Sequence, residues 1–359
     1  MNDSPDTPLC RWGLLGSAGI ARKNWQAIAR SGNGQLVAVA SRDQARSAAY
    51  IEENQREYPF SPAPEALGSY EALLARDDID AVYIPLPTGV RKPWVLAAAA
   101  AGKHVVCEKP IAPTAAEAAE MIAACDAAGV QFMDGVMFMH AQRLQAMRAV
   151  LEDGETIGEL KRITAQFGFL APQEMRESDI RFNPSMEPLG CLGDLGWYCI
   201  RLGLWAMRFK MPTEIHGRIH AQTDEGIPTE FSGELIWETG VSQSFYCSFD
   251  THLHQWAELA GTSGTMSLND YVAPEFGCET TFSTAQANSN NVGCDFRMEP
   301  HRQIHRTDEY ASSHETAQET NLFRTFADLV LSGERDSQWG DMALKTQQVL
   351  EAALNDARR

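Results

Sequence analysis

No Cys-x-x-Cys pair, no apolar run of membrane-spanning length and no basic excess occur in this 359-residue chain. Each absence removes a class of function. The cysteines, at positions 10, 107, 125, 191, 199, 247, 278 and 294, are scattered, which opposes a disulfide framework and fits reduced, partly buried thiols. A membrane helix needs roughly 18 consecutive apolar residues; the longest candidate, Trp94 to Ala101, is short and mostly alanine. Lysine and arginine number 30 against 48 acidic residues, a formal charge of −18, so bulk electrostatics oppose nucleic acid and anionic membranes as partners. A phosphate-bearing ligand would therefore need a local basic site. The polar start, Met1 to Leu9, lacks the basic residues and apolar core of a secretory signal, and the expectation is a soluble, cytoplasmic protein.

The length allows two domains, each with its own core. Trp12-Gly-Leu-Leu-Gly16 reads as a short buried strand that runs through Ser17, Ala18, Gly19, Ile20 and Ala21 into a helix ending near Arg30. Gly16 permits the sharp turn, and amides at the helix start can receive a pyrophosphate. Ala18 stands where the usual fingerprint has its second glycine, and its methyl narrows the approach. A second strand, Gln35 to Ala40, ends in Ser41-Arg42, where an NAD enzyme carries an acidic residue for the ribose 2′-hydroxyl. Arg42 can pair with the 2′-phosphate of NADP, and Asp43 reads as a helix cap. The cofactor expected is NADP, with NAD possible.

Residues 53 to 68 read as a wandering stretch before a helix at Tyr70 to Ala75. Ala81 to Ile84 is a further buried strand, ending in the turn Pro85-Leu86-Pro87-Thr88, which is suited to a flat ring. His104-Val-Val-Cys-Glu108-Lys109-Pro110 places a lysine just beyond another strand, at the carboxyl edge where open α/β sheets bind ligands. Alternation of short strands and helices argues a doubly wound parallel sheet over residues 10–136. Beyond residue 136 the pattern changes to a helix, Met137 to Leu151, and longer alternating strands at Lys161 to Phe169, Glu214 to Gln222, Glu230 to Glu238 and Ser242 to Thr251. The expected fold class is α/β: an N-terminal Rossmann dinucleotide-binding domain, then an α+β domain over 137–359 with a large, mainly antiparallel open sheet. Two helices, Thr316 to Leu331 and Met342 to Ala357, finish the chain. In a helix led by Gly190-Cys-Leu-Gly193, Asp194 and Tyr198 are four apart and share a face.

In order and spacing these pieces resemble the Gfo/Idh/MocA family of nicotinamide-dependent oxidoreductases from Arg11 to the final helix. The matching motifs are Gly13-Leu-Leu-Gly-Ser-Ala-Gly-Ile-Ala21, Ala40-Ser-Arg42, Tyr83-Ile-Pro-Leu-Pro-Thr88, Cys107-Glu-Lys-Pro110, Met133-Asp-Gly135 and Gly193-Asp-Leu-Gly-Trp-Tyr198. Within the family the chain looks most like the branch of dihydrodiol dehydrogenase, D-xylose dehydrogenase and glucose-fructose oxidoreductase. The resemblance implies Lys109 and Tyr198 as the catalytic pair with Asp194 beside them, and a cis Lys109-Pro110 bond. It implies a cofactor cradle of Gly16, Ala18, Gly19, Ile20, Ala21, Ser41, Arg42, Pro85, Leu86, Pro87, Thr88, Glu108 and Lys109.

Acid-base chemistry supports these roles independently. Oxidising a secondary alcohol sends a hydride to the cofactor ring and a proton to a base. A tyrosine hydroxyl, with pKa near ~10, performs this near neutrality only with a cation beside it. Tyr198 is therefore read as acid/base, Lys109 as its electrostatic partner and Asp194 as an orienting group. Lysine and tyrosine could exchange roles. His140, Arg143 and Arg181 are candidates for substrate contact. The histidine pairs 216/220, 252/254 and 301/305 lack a matching carboxylate or thiol set, and no metal is expected.

The function expected is NADP-dependent hydride transfer at a hydroxyl or carbonyl of a sugar, polyol or cyclic diol. The alternatives are a hydride-shuttling enzyme that retains its dinucleotide, and a sugar- or dinucleotide-sensing regulator. The broad sheet offers a face for pairing subunits, giving a homodimer or homotetramer.

Overall fold

The computed structural model describes residues 8–277 and 279–359; Cys278 and the first seven residues lie outside it. Two compact units divide the chain. The first comprises the chain to His140, Ser185–Pro188 and Ser312–Gln347; the second comprises Ala141–Pro184, Leu189–Ala311 and Gln348–Arg359.

In the first unit, β1 (Cys10–Leu15), β2 (Gly34–Ala40), β3 (Glu65–Leu67), β4 (Ala81–Ile84), β5 (His104–Cys107) and β6 (Phe132–Asp134) form one sheet in the order β3-β2-β1-β4-β5-β6. Every pairing is parallel, as the near-continuous apolar runs anticipate for strands covered on both faces. The order reverses between β1 and β4, the switch point where such sheets bind ligands. The helices are α1 (Gly19–Arg30), α2 (Gln44–Glu57), α3 (Tyr70–Leu74), α4 (Thr88–Ala100) and α5 (Ala115–Ala128). Their boundaries follow local chemistry. Asp43 caps α2 by accepting from the Ala45 amide, Thr114 caps α5 by accepting from Glu117, and Gly129 ends α5 in the left-handed region at φ 71°. The stretch read as wandering is ordered instead: α2 continues to Glu57 and β3 follows, pairing Ala38 with Glu65. Alternation over three residues is too short to register as a strand.

The first unit runs to His140, and residues 312–347 belong to it as well. The reason is apolar. In α9 (Gln318–Ser332), Phe323 and Phe326 pack on Trp12 of β1 with ring centroids 5.2 and 5.3 Å away, and Phe323 also meets Tyr83 at 5.5 Å. These rings belong to one buried cluster with Trp25, Leu36, Val106 and Met133.

The second unit is built on a nine-stranded sheet. Its strands are β7 (Leu160–Leu170), β8 (Glu214–Gln222), β9 (Pro228–Ile236), β10 (Ser242–Ser248), β11 (Asp250–His254), β12 (Ala257–Gly261), β13 (Thr265–Leu268), β14 (Glu279–Val292) and β15 (Asp295–Tyr310). The order is β15-β14-β13-β12-β7-β10-β9-β8, with β11 on β7. Pairing is antiparallel except between β7 and β10. The unit's helices are α6 (Gln142–Glu152), α7 (Gln173–Ser178) and α8 (Trp197–Ala206), and α10 (Gln338–Ala357) is divided between the units after Gln347. α8 is buried along its whole length and lies so close to β10 that a Cβ on Gly203 would fall 1.6 Å from Gln243 Oε1.

Phe323→Ala removes a ring buried among Trp12 and Tyr83, and is expected to lower unfolding free energy by about 3–5 kcal/mol, read from urea denaturation. A loss below about 1 kcal/mol would show that α9 contributes little to this core.

Candidate cofactor turn and acid-base helix

The residues expected to cradle the cofactor lie in the first unit. Gly16 sits at φ 107°, which a side chain rarely adopts, and an added Cβ would meet Leu86 Cδ2 at 3.0 Å. α1 then starts at Gly19 with no side-chain cap on Ala18, so first-turn amides are left for an external acceptor. Gly19 and Ile20 are exposed and Ala21 is buried. At the end of β2, Ser41 is turned inward, donating to the Asp43 carbonyl at 2.5 Å, whereas Arg42 is exposed.

Sequence reading missed two residues here. Arg46 Nε donates to Ser17 Oγ at 2.9 Å, which holds a second guanidinium at the turn. The Tyr70 hydroxyl lies 3.9 Å from the Cβ position of Gly16; burial raises its pKa, and Arg42 and Arg46 oppose that rise. Two cations and a phenol thus gather at one end of the turn. The available signal was the Arg42-x-x-x-Arg46 spacing.

At the carboxyl ends of β4 and β5, the turns at Leu86 and Lys109 are held together by Arg91, only 2% exposed. Its Nε donates to the Leu86 carbonyl at 2.8 Å and Nη1 to the Glu108 carbonyl at 2.6 Å, with a further bond to the Pro110 carbonyl. The Lys109–Pro110 peptide is cis. Pro85 and Leu86 are buried, Pro87 is half-buried, and Lys109 is half-buried with its backbone amide on the Glu108 carboxylate at 3.2 Å. Glu108 itself points inward. Its Oε1 accepts from the Tyr83 hydroxyl at 2.7 Å, which accepts from Asn24 Nδ2 at 2.6 Å. Burial pushes the Glu108 pKa up, while Tyr83, Lys109 and Arg91 pull against that. Gly135 is required beneath it, since a Cβ there would stand 2.9 Å from Oε1. Thr88 is 1% exposed, and its hydroxyl and amide are both taken by Glu187, at 2.6 and 2.9 Å.

Asp194 and Tyr198, the residues expected to serve as orienting and acid-base groups, lie in the second unit. Asp194 sits in a widened helical turn, Leu192–Gly196, that leads into α8, rather than in a regular first turn; such π turns recur at functional positions. Gly190, at φ 52°, starts the turn where a Cβ would be 2.2 Å from the Pro228 carbonyl. Arg181 Nε donates to Asp194 Oδ2 at 2.6 Å and Nη1 lies 3.2 Å from Asp179. Asp194 is the main cause of the upward pKa shift at Arg181. Tyr198 is 6% exposed, its ring edge-on to Phe167 at 5.8 Å.

The remaining candidates separate. His140 stacks on Trp339 at 4.5 Å in the first unit. Arg143 is 1% exposed and gives its fork to Asp270, at 2.6 Å to the carboxylate and 2.5 Å to the carbonyl. That pairing ties Arg143 into the packing of its own unit. No group of three or more metal-ligating side chains occurs among the described residues, and none of their helices is long and apolar enough to cross a membrane.

Comparison with known proteins gives two family matches: an oxidoreductase family with an NAD-binding Rossmann fold over residues 10–136, and a GFO/IDH/MocA C-terminal domain over 144–267. The chain is 34% identical to a D-xylose 1-dehydrogenase (NADP(+)) of Haloferax volcanii over 276 residues, 76% of this chain and 80% of the relative. It is 34% identical to the mouse trans-1,2-dihydrobenzene-1,2-diol dehydrogenase over 269 residues, 74% and 76% of the two. Among solved structures, a 3-ketoreductase from Actinomadura kijaniata, in complex with NADP and TDP-benzene, matches with a TM-score of 0.81 at 26% identity over 98% of both chains.

The raised pKa of Glu108 has a consequence for stability. A carboxyl whose pKa is raised by folding contributes stability below its unfolded value that is lost as pH rises through its folded value. Glu108→Gln keeps the shape and abolishes the titration. Relative to wild type, the variant is expected to gain in urea stability as pH is taken from the ordinary carboxylate range, ~4.3, to 8. A difference that stays flat over that window would show that Glu108 does not titrate in this way.

Proposed function

The chain belongs to the Gfo/Idh/MocA family of oxidoreductases, and from that premise we propose that it is an NADP-dependent dehydrogenase or reductase acting on a CH–OH group of a sugar, polyol or cyclic diol. The observation that carries the cofactor reading is the bond from Arg46 to Ser17 beside exposed Arg42. Two guanidiniums at the end of β2 fit the 2′-phosphate, and the carboxylate beside them, Asp43, is engaged as the α2 cap on the Ala45 amide. The uncapped start of α1 and the Gly16 turn fit the pyrophosphate, and the Pro85 to Pro87 turn offers a flat apolar wall for the ring. Thr88 serves this site indirectly, as a position locked by Glu187.

When bound, the nicotinamide supplies the hydride acceptor or donor. The protein's residues manage the proton. Tyr198 takes the hydroxyl proton as the carbinol is oxidised, or returns it to the carbonyl in the reverse direction. Lys109 supplies the positive charge that lowers the cost of the phenolate and stabilises alkoxide character on the substrate oxygen. Asp194 orients the reacting hydroxyl, and Arg181 fixes that carboxylate at 2.6 Å. The relatives named for D-xylose and for a dihydrodiol support pentoses and cyclic diols as the substrates to try first. Partner subunits are copies of the same chain.

Following reduced-nicotinamide absorbance with NADP and NAD in parallel, against sugars, polyols and diols, tests the reading. Tyr198→Phe and Lys109→Ala are each expected to lower kcat by about 10²–10⁴ with NADP affinity little changed. Arg42→Ala is expected to weaken NADP binding by roughly 1.5–3 kcal/mol, the worth of a charged hydrogen bond, and to leave NAD binding nearly untouched. Equal weakening of both cofactors would remove Arg42 from the 2′-phosphate, and full turnover in Tyr198→Phe would remove the proposed acid/base.

A further inference from the structure

The first turn of α4 has no cap of its own. The residue before it, Pro87, offers no side-chain acceptor to the helix start, and the leading amides of a helix need partners from elsewhere. They find them 99 residues along the chain, in Ser185–Pro188, a short strap that belongs to the first unit although the chain on both sides of it belongs to the second. Glu187 Oε1 accepts from the Thr88 amide at 2.9 Å, and Oε2 accepts from the Thr88 hydroxyl at 2.6 Å. The next amide, that of Gly89, donates to the Met186 carbonyl at 2.8 Å. A carboxylate in this position is favoured by the helix dipole. The approach is close enough to demand glycine, since a Cβ on Gly89 would stand 1.9 Å from the Ser185 carbonyl oxygen. Pro184 and Pro188 bracket the strap and limit its backbone freedom.

We propose that Glu187 is a positioning residue for hydride transfer, which fastens the chain entering the Asp194 turn to the turns that carry the ring wall and Lys109. The inference rests on the proposed function and adds a residue to it. On one side Glu187 fixes Thr88, which directly follows Pro85-Leu86-Pro87. Arg91 holds the same turn through the Leu86 carbonyl at 2.8 Å, so the wall is gripped from within the helix and from the strap. Thr88 passes the constraint on, because its hydroxyl also lies 3.4 Å from the Pro110 carbonyl, next to Lys109. On the other side the constraint runs through the backbone. After Pro188 the chain goes through buried Leu189, Gly190 and Cys191 straight into the widened turn that bears Asp194, with no exposed loop between to absorb a shift. Thr88 is 1% exposed. Loss of the carboxylate therefore leaves a buried amide and hydroxyl unpaired, and the turn must move to satisfy them. Both Glu187 oxygens are engaged by Thr88, so the residue acts through what it holds and not on the substrate. A ring seated on the wall is accordingly felt in the strap.

Three variants of the full chain test this. Glu187→Ala removes both bonds, and Thr88→Val removes the hydroxyl at nearly constant shape. Glu187→Gln keeps an oxygen for the Thr88 amide and gains an NH2 that the Thr88 hydroxyl can accept from. Far-UV circular dichroism and the thermal midpoint report folding; should Glu187→Ala be unfolded, Thr88→Val takes its place in every comparison. At saturating NADP, kcat is expected to fall about 10–100-fold in Glu187→Ala and to return to within about threefold of wild type in Glu187→Gln, with the Kd for NADP changed by less than about threefold in both. Hydrogen exchange read by mass spectrometry needs no substrate. NADP is expected to slow exchange in the peptide covering residues 185–196 of wild type and Glu187→Gln, and to leave it unchanged in Glu187→Ala. No effect of NADP on that peptide in the wild type, or equal protection in wild type and Glu187→Ala, would overturn the inference and leave the dehydrogenase reading standing. An unchanged kcat in Glu187→Ala, or a Glu187→Gln no better than it, would do the same. A wild type that binds no NADP would remove the reading and the inference together.

Discussion

The buried guanidinium of Arg91 is the interaction on which the first unit's site depends. Two loops leave adjacent parallel strands at the same edge of the sheet, and nothing in strand pairing fixes how their ends lie. Arg91 fixes them by donating to the carbonyls of Leu86, Glu108 and Pro110, bonds worth roughly 1.5–3 kcal/mol each when a charge is involved. The cation needs compensation in a dry setting. Glu108 provides it without contact, its carboxylate held the other way by Tyr83 and Asn24. Lys109 thus emerges from a backbone gripped on one side by a cation and on the other by a buried carboxylate. The lysine's position is an outcome of that balance.

The second unit solves a matching problem with different means. Asp194 must face outward from a helix that is otherwise buried on every side. The widened turn at Leu192–Gly196 adds the rotation that a regular helix lacks, and small residues allow it: a Cβ on Gly196 would crowd Leu192 at 2.8 Å and Cys247 Sγ at 3.2 Å. Arg181, on a separate short turn, then meets the carboxylate. Asp194 and Tyr198 are in this way carried by helical elements, and the short Arg181 turn beside them serves to hold the Asp194 carboxylate.

Much of this was legible in the sequence because it rests on short-range signals. Gly16, the Asp43 cap and the apolar strands that lead to Leu86 and Lys109 all announce themselves within a few residues. What escaped depends on distant partners. Arg91 looks like an ordinary helix-start residue until Leu86, Glu108 and Pro110 surround it, and Glu187, the partner of Thr88, lies 99 residues away. The pairing of Arg143 with Asp270 has no local signal either, since the two lie 127 residues apart in the chain. The return of Phe323 to Trp12 spans still more, and no local signal in α9 announces it. Strands β14 and β15 escaped for another reason: Asn288-Ser-Asn-Asn291 carries no apolar alternation, and the alternation that reveals a strand sits only on its partner.

The central claim is that hydride moves between a substrate carbon and NADP in the care of Lys109 and Tyr198. Its most direct test is transfer of label. With a pentose or cyclic diol deuterated at the carbinol carbon, mass spectrometry of the nicotinamide product reports whether the hydrogen moved. The account predicts one deuterium in NADPH from the wild-type enzyme and none, on the same timescale, from Tyr198→Phe. Substrate consumed by the wild type without deuterium in the cofactor would contradict it.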